Sequence, residues 1–149
     1  MNEFELKDAE ATHAFGLTLA PLLRAGDSVA LYGALGAGKT SLCRGILQGL
    51  GFAGEVPSPT FPLVQTYAPP DTSLPVWHVD LYRVERGSEL EELGLDDALY
   101  DAALLIEWPE RLPALWRDTL RLTLAEGPSG GRSLTACVPP AWGARWPPR

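Results

Sequence analysis

Residues 28–40 of this 149-residue chain read Ser-Val-Ala-Leu-Tyr-Gly-Ala-Leu-Gly-Ala-Gly-Lys-Thr, and this stretch decides the fold. Residues 28–32 form a compact apolar segment, which is typical of a buried strand. Residues 33–40 fit the pattern G-x-x-x-x-G-K-[ST] in full. A helix is predicted to follow from Lys39 to about residue 50, where Gly51 ends it. A strand, a glycine-rich loop and a helix in this order predict a P-loop, the phosphate-binding turn of nucleoside triphosphatases.

Each part of this pattern has a chemical reason. Glycines at positions 33, 36 and 38 let backbone N–H groups turn toward phosphate oxygens, and the following helix directs its positive N-terminal end to the same place. Lys39 can reach the β- and γ-phosphates, and the Thr40 hydroxyl can bind Mg²⁺. Adenine is favoured as the base by elimination, because the sequence contains no Asn-Lys-x-Asp motif and no strand followed by Asp-x-x-Gly.

Two carboxylates come at the ends of predicted strands. Glu107 follows the unbroken apolar run at 102–106, and Asp80 lies near the end of the segment 76–81. A P-loop protein needs an acid near its metal ion, usually at the end of a neighbouring strand, and both residues qualify by position. Glu107 is the better candidate, because the apolar run before it is unbroken, whereas the Trp-His pair at 77–78 interrupts the apolar segment that contains Asp80. A buried carboxylate also needs a partner that offsets its desolvation, and a metal ion would supply one.

The remaining patterns predict one α/β domain over residues 1–138. Further strands are expected at residues 4–6, 63–67, 119–124 and 133–138, and further helices from Asp8 to about Leu23 and after Ser88. Pro21 is expected to kink or separate the last turn of the first helix. Residues 139–149 are rich in proline, tryptophan and arginine, and they are predicted to be a flexible tail.

The composition excludes several classes of protein. A net charge of −7 argues against a protein that binds nucleic acid without a partner, because such proteins usually have a positively charged surface. The chain has neither an apolar run long enough to span a membrane nor a signal-peptide pattern, so a cytoplasmic location is expected. Cys43 and Cys137 lack metal-like spacing and are predicted to be free thiols.

Five motifs in this order and spacing resemble the TsaE family of small bacterial P-loop ATPases. They are Leu-Tyr-Gly-Ala-Leu-Gly-Ala-Gly-Lys-Thr-Ser (31–41), Ser-Pro-Thr-Phe (58–61), His-Val-Asp-Leu-Tyr-Arg (78–83), Leu-Glu-Glu-Leu-Gly-Leu (90–95) and Ile-Glu-Trp-Pro-Glu (106–110). The P-loop is shared with many families, whereas the second, third and fifth motifs together are specific. The resemblance covers most of residues 4–138.

The resemblance implies a P-loop NTPase-like α/β sheet with a parallel centre, antiparallel flanking strands and helices on both faces. It implies an Mg²⁺-dependent ATPase of tRNA threonylcarbamoyladenosine synthesis that acts with two partner proteins, TsaD and TsaB. That pair transfers a threonylcarbamoyl group to an adenosine next to the anticodon, and the ATPase sustains their turnover. The tRNA would be contacted only indirectly, through the complex.

The resemblance also implies roles for individual residues. The phosphate-binding set would be Gly33, Gly36, Ala37, Gly38, Lys39, Thr40 and Ser41, where Ser41 replaces the threonine that is usual in the family. Thr40 and Glu107 would serve Mg²⁺, directly or through water. Asp80 would orient or deprotonate the attacking water, or hold a metal-bound water. Lys39 and Thr60 would assist catalysis, with Thr60 as a switch residue that senses the γ-phosphate, and Ala9 and Arg132 would lie near the nucleotide.

Several alternatives stay open at this point. His78 is interpreted as a packed or hydrogen-bonded strand residue in preference to a catalytic base, because it has no evident partner. The acidic stretch 85–101 is either a solvated helical face or a docking surface. Two other functions compete with the partner-dependent ATPase. One is a small-molecule kinase, disfavoured because the arginines are scattered; the other is a non-catalytic, nucleotide-dependent interaction module.

Overall fold

The computed structural model describes residues 2–57, 63–85, 87–127 and 130–149. Its strands are β1 (Glu3–Leu6), β2 (Ser28–Tyr32), β3 (Val64–Tyr67), β4 (Val76–Asp80), β5 (Ala103–Glu107), β6 (Leu120–Glu126) and β7 (Arg132–Cys137). Its α-helices are α1 (Ala9–Leu19), α2 (Lys39–Gly49), α3 (Gly87–Leu93) and α4 (Leu95–Ala98). None of the described helices has the length and apolar character that crossing a lipid bilayer requires.

The strands form one sheet in the order β1-β7-β6-β2-β5-β4-β3 across the described part of the chain. The central pairs β6–β2, β2–β5 and β5–β4 are parallel, and the outer pairs β1–β7, β7–β6 and β4–β3 are antiparallel. The predicted parallel centre with antiparallel flanks is therefore confirmed. Because β2, β4 and β5 run in the same direction, their carboxyl ends meet at one edge of the sheet, which is where open α/β sheets bind ligands.

Helices cover both faces of this sheet, as predicted. Successive side chains of a strand point to opposite faces, and β5 shows the consequence. Leu105 belongs to the core cluster that contains Ile46 of α2, whereas Leu104 belongs to the cluster that contains Leu95 of α4. All five residues of β5 are buried, because helices cover this strand from both sides.

Helix α1 begins where the sequence predicts, but it ends four residues before the predicted Leu23, and the last predicted turn is separate. Asp8 caps its N-terminus by accepting a hydrogen bond from the backbone N–H of Ala11 at 2.8 Å. The α-helix stops at Leu19, and a separate 3₁₀ turn at Ala20–Leu22 contains Pro21. Proline lacks the N–H that would continue the α-helical hydrogen bonding, which accounts for the change of helix type.

The structure packs the C-terminal segment that the sequence predicts to be flexible. Trp142 is fully buried within the same core cluster as α1 and α2. The guanidinium of Arg145 lies 4.0 Å from the centroid of the Trp142 ring. Its Nη1 atom donates hydrogen bonds to the Leu22 carbonyl and to Asp27 Oδ2, both at 2.7 Å. Composition alone suggests disorder here, but the area buried by one tryptophan and a paired arginine orders the segment.

We expect Arg145→Ala to lower the free energy of unfolding by about 1.5–3 kcal/mol, the usual contribution of hydrogen bonds to charged groups. The side chains of Arg145 and Asp27 are only 10% and 12% exposed, so solvent screens this ion pair weakly. Urea unfolding of the two proteins measures the difference. Arg149→Ala is the matched control, because it removes the same charge from an exposed position four residues away. Equal stability of all three proteins would contradict the packing described for the segment.

Candidate functional site

The P-loop joins β2 to α2 at the carboxyl edge of the sheet. Gly36 and Gly38 have φ values of 77° and 106°, which L-residues with side chains rarely adopt. Gly33 is required for space as well, because a Cβ atom there would lie 2.8 Å from the Leu124 carbonyl oxygen. Gly38 occupies the N-cap position of α2. The loop therefore presents the N-terminus of a helix at a turn that only glycines can form, which is the geometry of an anion site.

Lys39 is held inside this loop. Its side chain is only 4% exposed, and Nζ donates a hydrogen bond to the Gly33 carbonyl at 2.6 Å. Nζ also lies 3.8 Å from the centroid of the Trp108 ring, a cation–π contact. Burial lowers the pKa of Lys39, and the nearby Glu107 carboxylate opposes this shift. Within the described residues Lys39 forms no salt bridge, so its ammonium group remains available to a bound anion.

Asp80 and Glu107 come together, as the strand-end pattern predicts. They are register partners on the adjacent parallel strands β4 and β5, and they are only 4% and 3% exposed. Thr40 Oγ1 donates to the Glu107 carboxylate, with distances of 3.3 Å to Oε1 and 3.4 Å to Oε2. A hydroxyl and carboxylate oxygens are the hard ligands that Mg²⁺ prefers. The chemistry of this donor set fits a magnesium ion at Thr40 and Glu107.

Asp80 has the properties of a proton acceptor. Burial raises the pKa of its carboxyl group, and the hydrogen bond from the Tyr82 backbone N–H to Oδ1, 2.9 Å long, partly offsets this effect. A carboxylate with a raised pKa takes a proton more readily near neutral pH. Among the described residues Oδ1 is thus already engaged, which leaves Oδ2 as the oxygen that can meet a water molecule.

His78 contributes a contact that the sequence did not indicate. The residue is fully buried, and Nε2 lies 2.6 Å from Glu107 Oε2, so it is a hydrogen-bonded strand residue. Its partner on β5 was missed. A signal did exist, because His78 and Asp80 are two residues apart on β4 and so share a face, and β5 is the neighbouring strand. The imidazole and Thr40 thus hold the Glu107 carboxylate from two directions.

Trp108 closes the site on one side. It has a left-handed φ of 60°, and its ring packs against that of Tyr82 with centroids 4.9 Å apart. These rings and the P-loop enclose a cavity of about 240 Å³. The lining consists of Leu35, Gly36, Gly38, Lys39, Thr40, Ser41, Asp80, Tyr82, Glu107 and Trp108. The cavity therefore gathers both carboxylates and five of the seven residues predicted to bind phosphate, whereas Gly33 and Ala37 are not among its lining residues.

The other predicted site residues lie farther out. Arg132 donates from Nε to the Ala37 carbonyl and from Nη2 to the Gly36 carbonyl, both at 3.1 Å, so it buttresses the P-loop. Ala9 is exposed at the first position of α1, and the P-loop approaches this helix one turn later, where a Cβ at Gly38 would lie 3.5 Å from Thr12 Cγ2. Thr60, the expected switch residue, lies outside the described residues.

Comparisons with known proteins agree with this geometry. Residues 6–134 match the family model described as threonylcarbamoyl adenosine biosynthesis protein TsaE. A TsaE protein of Streptomyces coelicolor is 47% identical over 111 residues, which are 73% of this chain and 75% of that protein. The TsaE protein of Bacillus subtilis is 36% identical over 131 residues, 85% of this chain and 78% of that protein. The crystal structure of Bacillus subtilis YdiB superposes with a TM-score of 0.76 at 26% identity, covering 95% of this chain and 88% of that one.

Proposed function

The chain belongs to the TsaE family of tRNA threonylcarbamoyladenosine biosynthesis proteins. From that premise we propose that it is the subunit that binds and hydrolyses ATP in the machinery that makes this tRNA modification. One observation carries the proposal. A P-loop lysine, its neighbouring threonine and two buried strand-end carboxylates line one cavity, as the hydrolysis of a nucleoside triphosphate requires. Hydrolysis needs each of these groups, whereas a simple nucleotide-binding module could do without a buried proton acceptor.

The P-loop binds the phosphates in this proposal. Backbone N–H groups from Gly36 to Ser41 surround the phosphate oxygens, and Lys39 donates to the β- and γ-phosphates in place of its present contact with the Gly33 carbonyl. Arg132 keeps the loop carbonyls turned away from the anion, because they accept its hydrogen bonds. Thr40 and Glu107 would hold Mg²⁺, which when bound neutralises phosphate charge.

Asp80 orients the attacking water and accepts its proton at Oδ2. The hydrogen bond from the Tyr82 backbone N–H to Asp80 Oδ1 fixes the plane of the carboxyl group, so that Oδ2 has a defined direction. His78 has an indirect role, since its bond to Oε2 keeps Glu107 from rotating away from Thr40. Trp108 and Tyr82 line the cavity with apolar ring surface, which strengthens the charge interactions beside it.

Partners complete the function in this proposal. The chain would act with TsaD and TsaB, which carry out the transfer, and its hydrolysis of ATP would sustain their turnover. A net charge of −7 supports this arrangement, because an acidic chain is poorly suited to holding tRNA without help. The tRNA would therefore reach this protein only through the complex.

Co-purification with TsaB and TsaD, combined with ATPase assays, tests the proposal. We expect slow hydrolysis by the chain alone, formation of a complex, and faster hydrolysis when both partners are present. In a reconstituted tRNA modification assay with the same proteins, a non-hydrolysable ATP analogue should support at most one round of modification. If the analogue sustained repeated rounds, hydrolysis would be incidental and the protein would be an interaction module. A chain that neither binds the partners nor responds to them would refute the assignment of partners.

A further inference from the structure

A second donor cluster lies behind the nucleotide cavity. Cys43 of α2, His78 of β4 and Glu107 of β5 bring a sulfur, a nitrogen and an oxygen donor within 4.8 Å of one another. All three residues are buried, and Cys43 and His78 are fully so. We propose that these three side chains form a binding site for a divalent ion of the zinc class, which shares Glu107 with the proposed magnesium site.

The donor set selects the class of ion. A thiolate and an imidazole are ligands for Zn²⁺, Co²⁺ and related ions, whereas Mg²⁺ takes oxygen ligands. In a tetrahedral zinc site neighbouring ligand atoms are roughly 3.5 Å apart, given zinc–ligand bonds of about 2.0–2.3 Å. Because the donor atoms already lie within 4.8 Å of one another, each separation has to change by only about 1.3 Å or less to reach this arrangement. Three protein ligands leave a fourth position for water.

His78 and Glu107 already form one side of this cluster. Nε2 of His78 lies 2.6 Å from Oε2 of Glu107, and both residues are buried. An ion of the zinc class that took the place of the hydrogen in this bond would be bound by both atoms, which would separate by about 1 Å to roughly 3.5 Å.

The cluster adjoins the 240 Å³ cavity, because Glu107 belongs to the cluster and also lines the cavity. Since Thr40 contacts the same carboxylate, an ion of the zinc class would compete with Mg²⁺ for Glu107 and slow hydrolysis. This consequence rests on the proposed function, whereas binding of the ion does not.

Cobalt binding to the reduced, metal-free full-length chain tests the site directly. We expect one Co²⁺ per chain, with a thiolate-to-cobalt charge-transfer band and the strong visible absorption of tetrahedral cobalt, and displacement of the cobalt by Zn²⁺. Cys43→Ala should remove the charge-transfer band and weaken Zn²⁺ binding by more than about tenfold, since loss of even an outer partner of a ligand has that effect. Cys43→Ser serves the same purpose if the alanine variant does not fold, as judged by thermal melting.

The second cysteine of the chain provides the matched control. Cys137 is an exposed free thiol on β7, so Cys137→Ala should keep the band and the affinity. The proposal is overturned if the wild-type chain shows no charge-transfer band, or if the band survives in Cys43→Ala and disappears in Cys137→Ala. The spectra need neither ATP nor TsaB and TsaD, so a failure of the ATPase proposal would not affect them. If cobalt binds at Cys43 and ATP hydrolysis is not slowed, the proposed competition with Mg²⁺ for Glu107 is wrong.

Discussion

Replacing Lys39 by alanine is expected to reduce ATP hydrolysis to background and to weaken ATP binding by about two orders of magnitude or more. The reason is the loss of hydrogen bonds from a charged donor to phosphate, each worth about 1.5–3 kcal/mol. Nζ is already positioned inside the P-loop by the Gly33 carbonyl and the Trp108 ring, so little reorganisation precedes binding. Isothermal titration calorimetry and a phosphate-release assay measure the two effects.

Two further variants make the Lys39 result specific. Lys39→Met keeps most of the apolar stem under Trp108, so it removes the charge while preserving the packing. Arg24→Ala removes one positive charge from an exposed position before the amino end of β2, away from the P-loop. We expect the methionine variant to behave like Lys39→Ala, and Arg24→Ala to behave like the wild type. Unchanged ATP binding and hydrolysis in Lys39→Ala would refute the proposed function.

Asp80→Asn is expected to lower hydrolysis by about a hundredfold or more, the usual contribution of a positioned proton acceptor. Asparagine keeps an oxygen that can accept the hydrogen bond from the Tyr82 N–H, so the backbone turn after β4 is preserved. Binding of Mg²⁺ and ATP should change little. Glu107→Gln provides the comparison, because it should weaken the dependence of ATP binding on Mg²⁺. If Asp80→Asn instead removed the magnesium dependence, the roles of the two carboxylates would be exchanged.

The same Asp80 variant should be more stable than the wild type. Since burial raises the pKa of Asp80, folding favours the protonated carboxyl group. The contribution of this group to stability is therefore greatest below the ordinary carboxyl pKa and falls as the pH rises through the raised value in the folded chain. At neutral pH the ionised side chain opposes folding, and asparagine removes that penalty. Thermal melting without nucleotide should show a gain at neutral pH that shrinks as the pH is lowered.

The parts of the molecule that could be predicted from the sequence depend on local signals. β2, the P-loop and α2 are contiguous, so the pattern G-x-x-x-x-G-K-[ST] with its flanking strand and helix identifies them without knowledge of distant contacts. The meeting of Asp80 and Glu107 also followed, because the carboxyl ends of neighbouring parallel strands share an edge. The alternation of apolar and polar residues in β6 and β7 was enough to predict both as strands.

The parts that could not be predicted depend on contacts between residues distant in the sequence. The bond from His78 to Glu107 requires the order of strands in the sheet, which periodicity does not supply. Trp108 contacts Lys39 from a left-handed backbone conformation, which no residue preference predicts for tryptophan. The ordering of the C-terminal segment depends on Asp27, which lies 118 residues away from Arg145. The composition of a segment does not show which distant residue pairs with it.

The pairing of β4 with β5 restricts where the length of this protein can change during evolution. Val76 faces Ala103 and Asp80 faces Glu107, so the whole of β4 is held in one register. One inserted or deleted residue between His78 and Asp80 would turn one of these side chains to the opposite face of the sheet. The turn at residues 68–75 can change length without this effect, because it precedes the paired residues. We therefore expect insertions and deletions among relatives to collect in that turn and to be absent from the last three residues of β4.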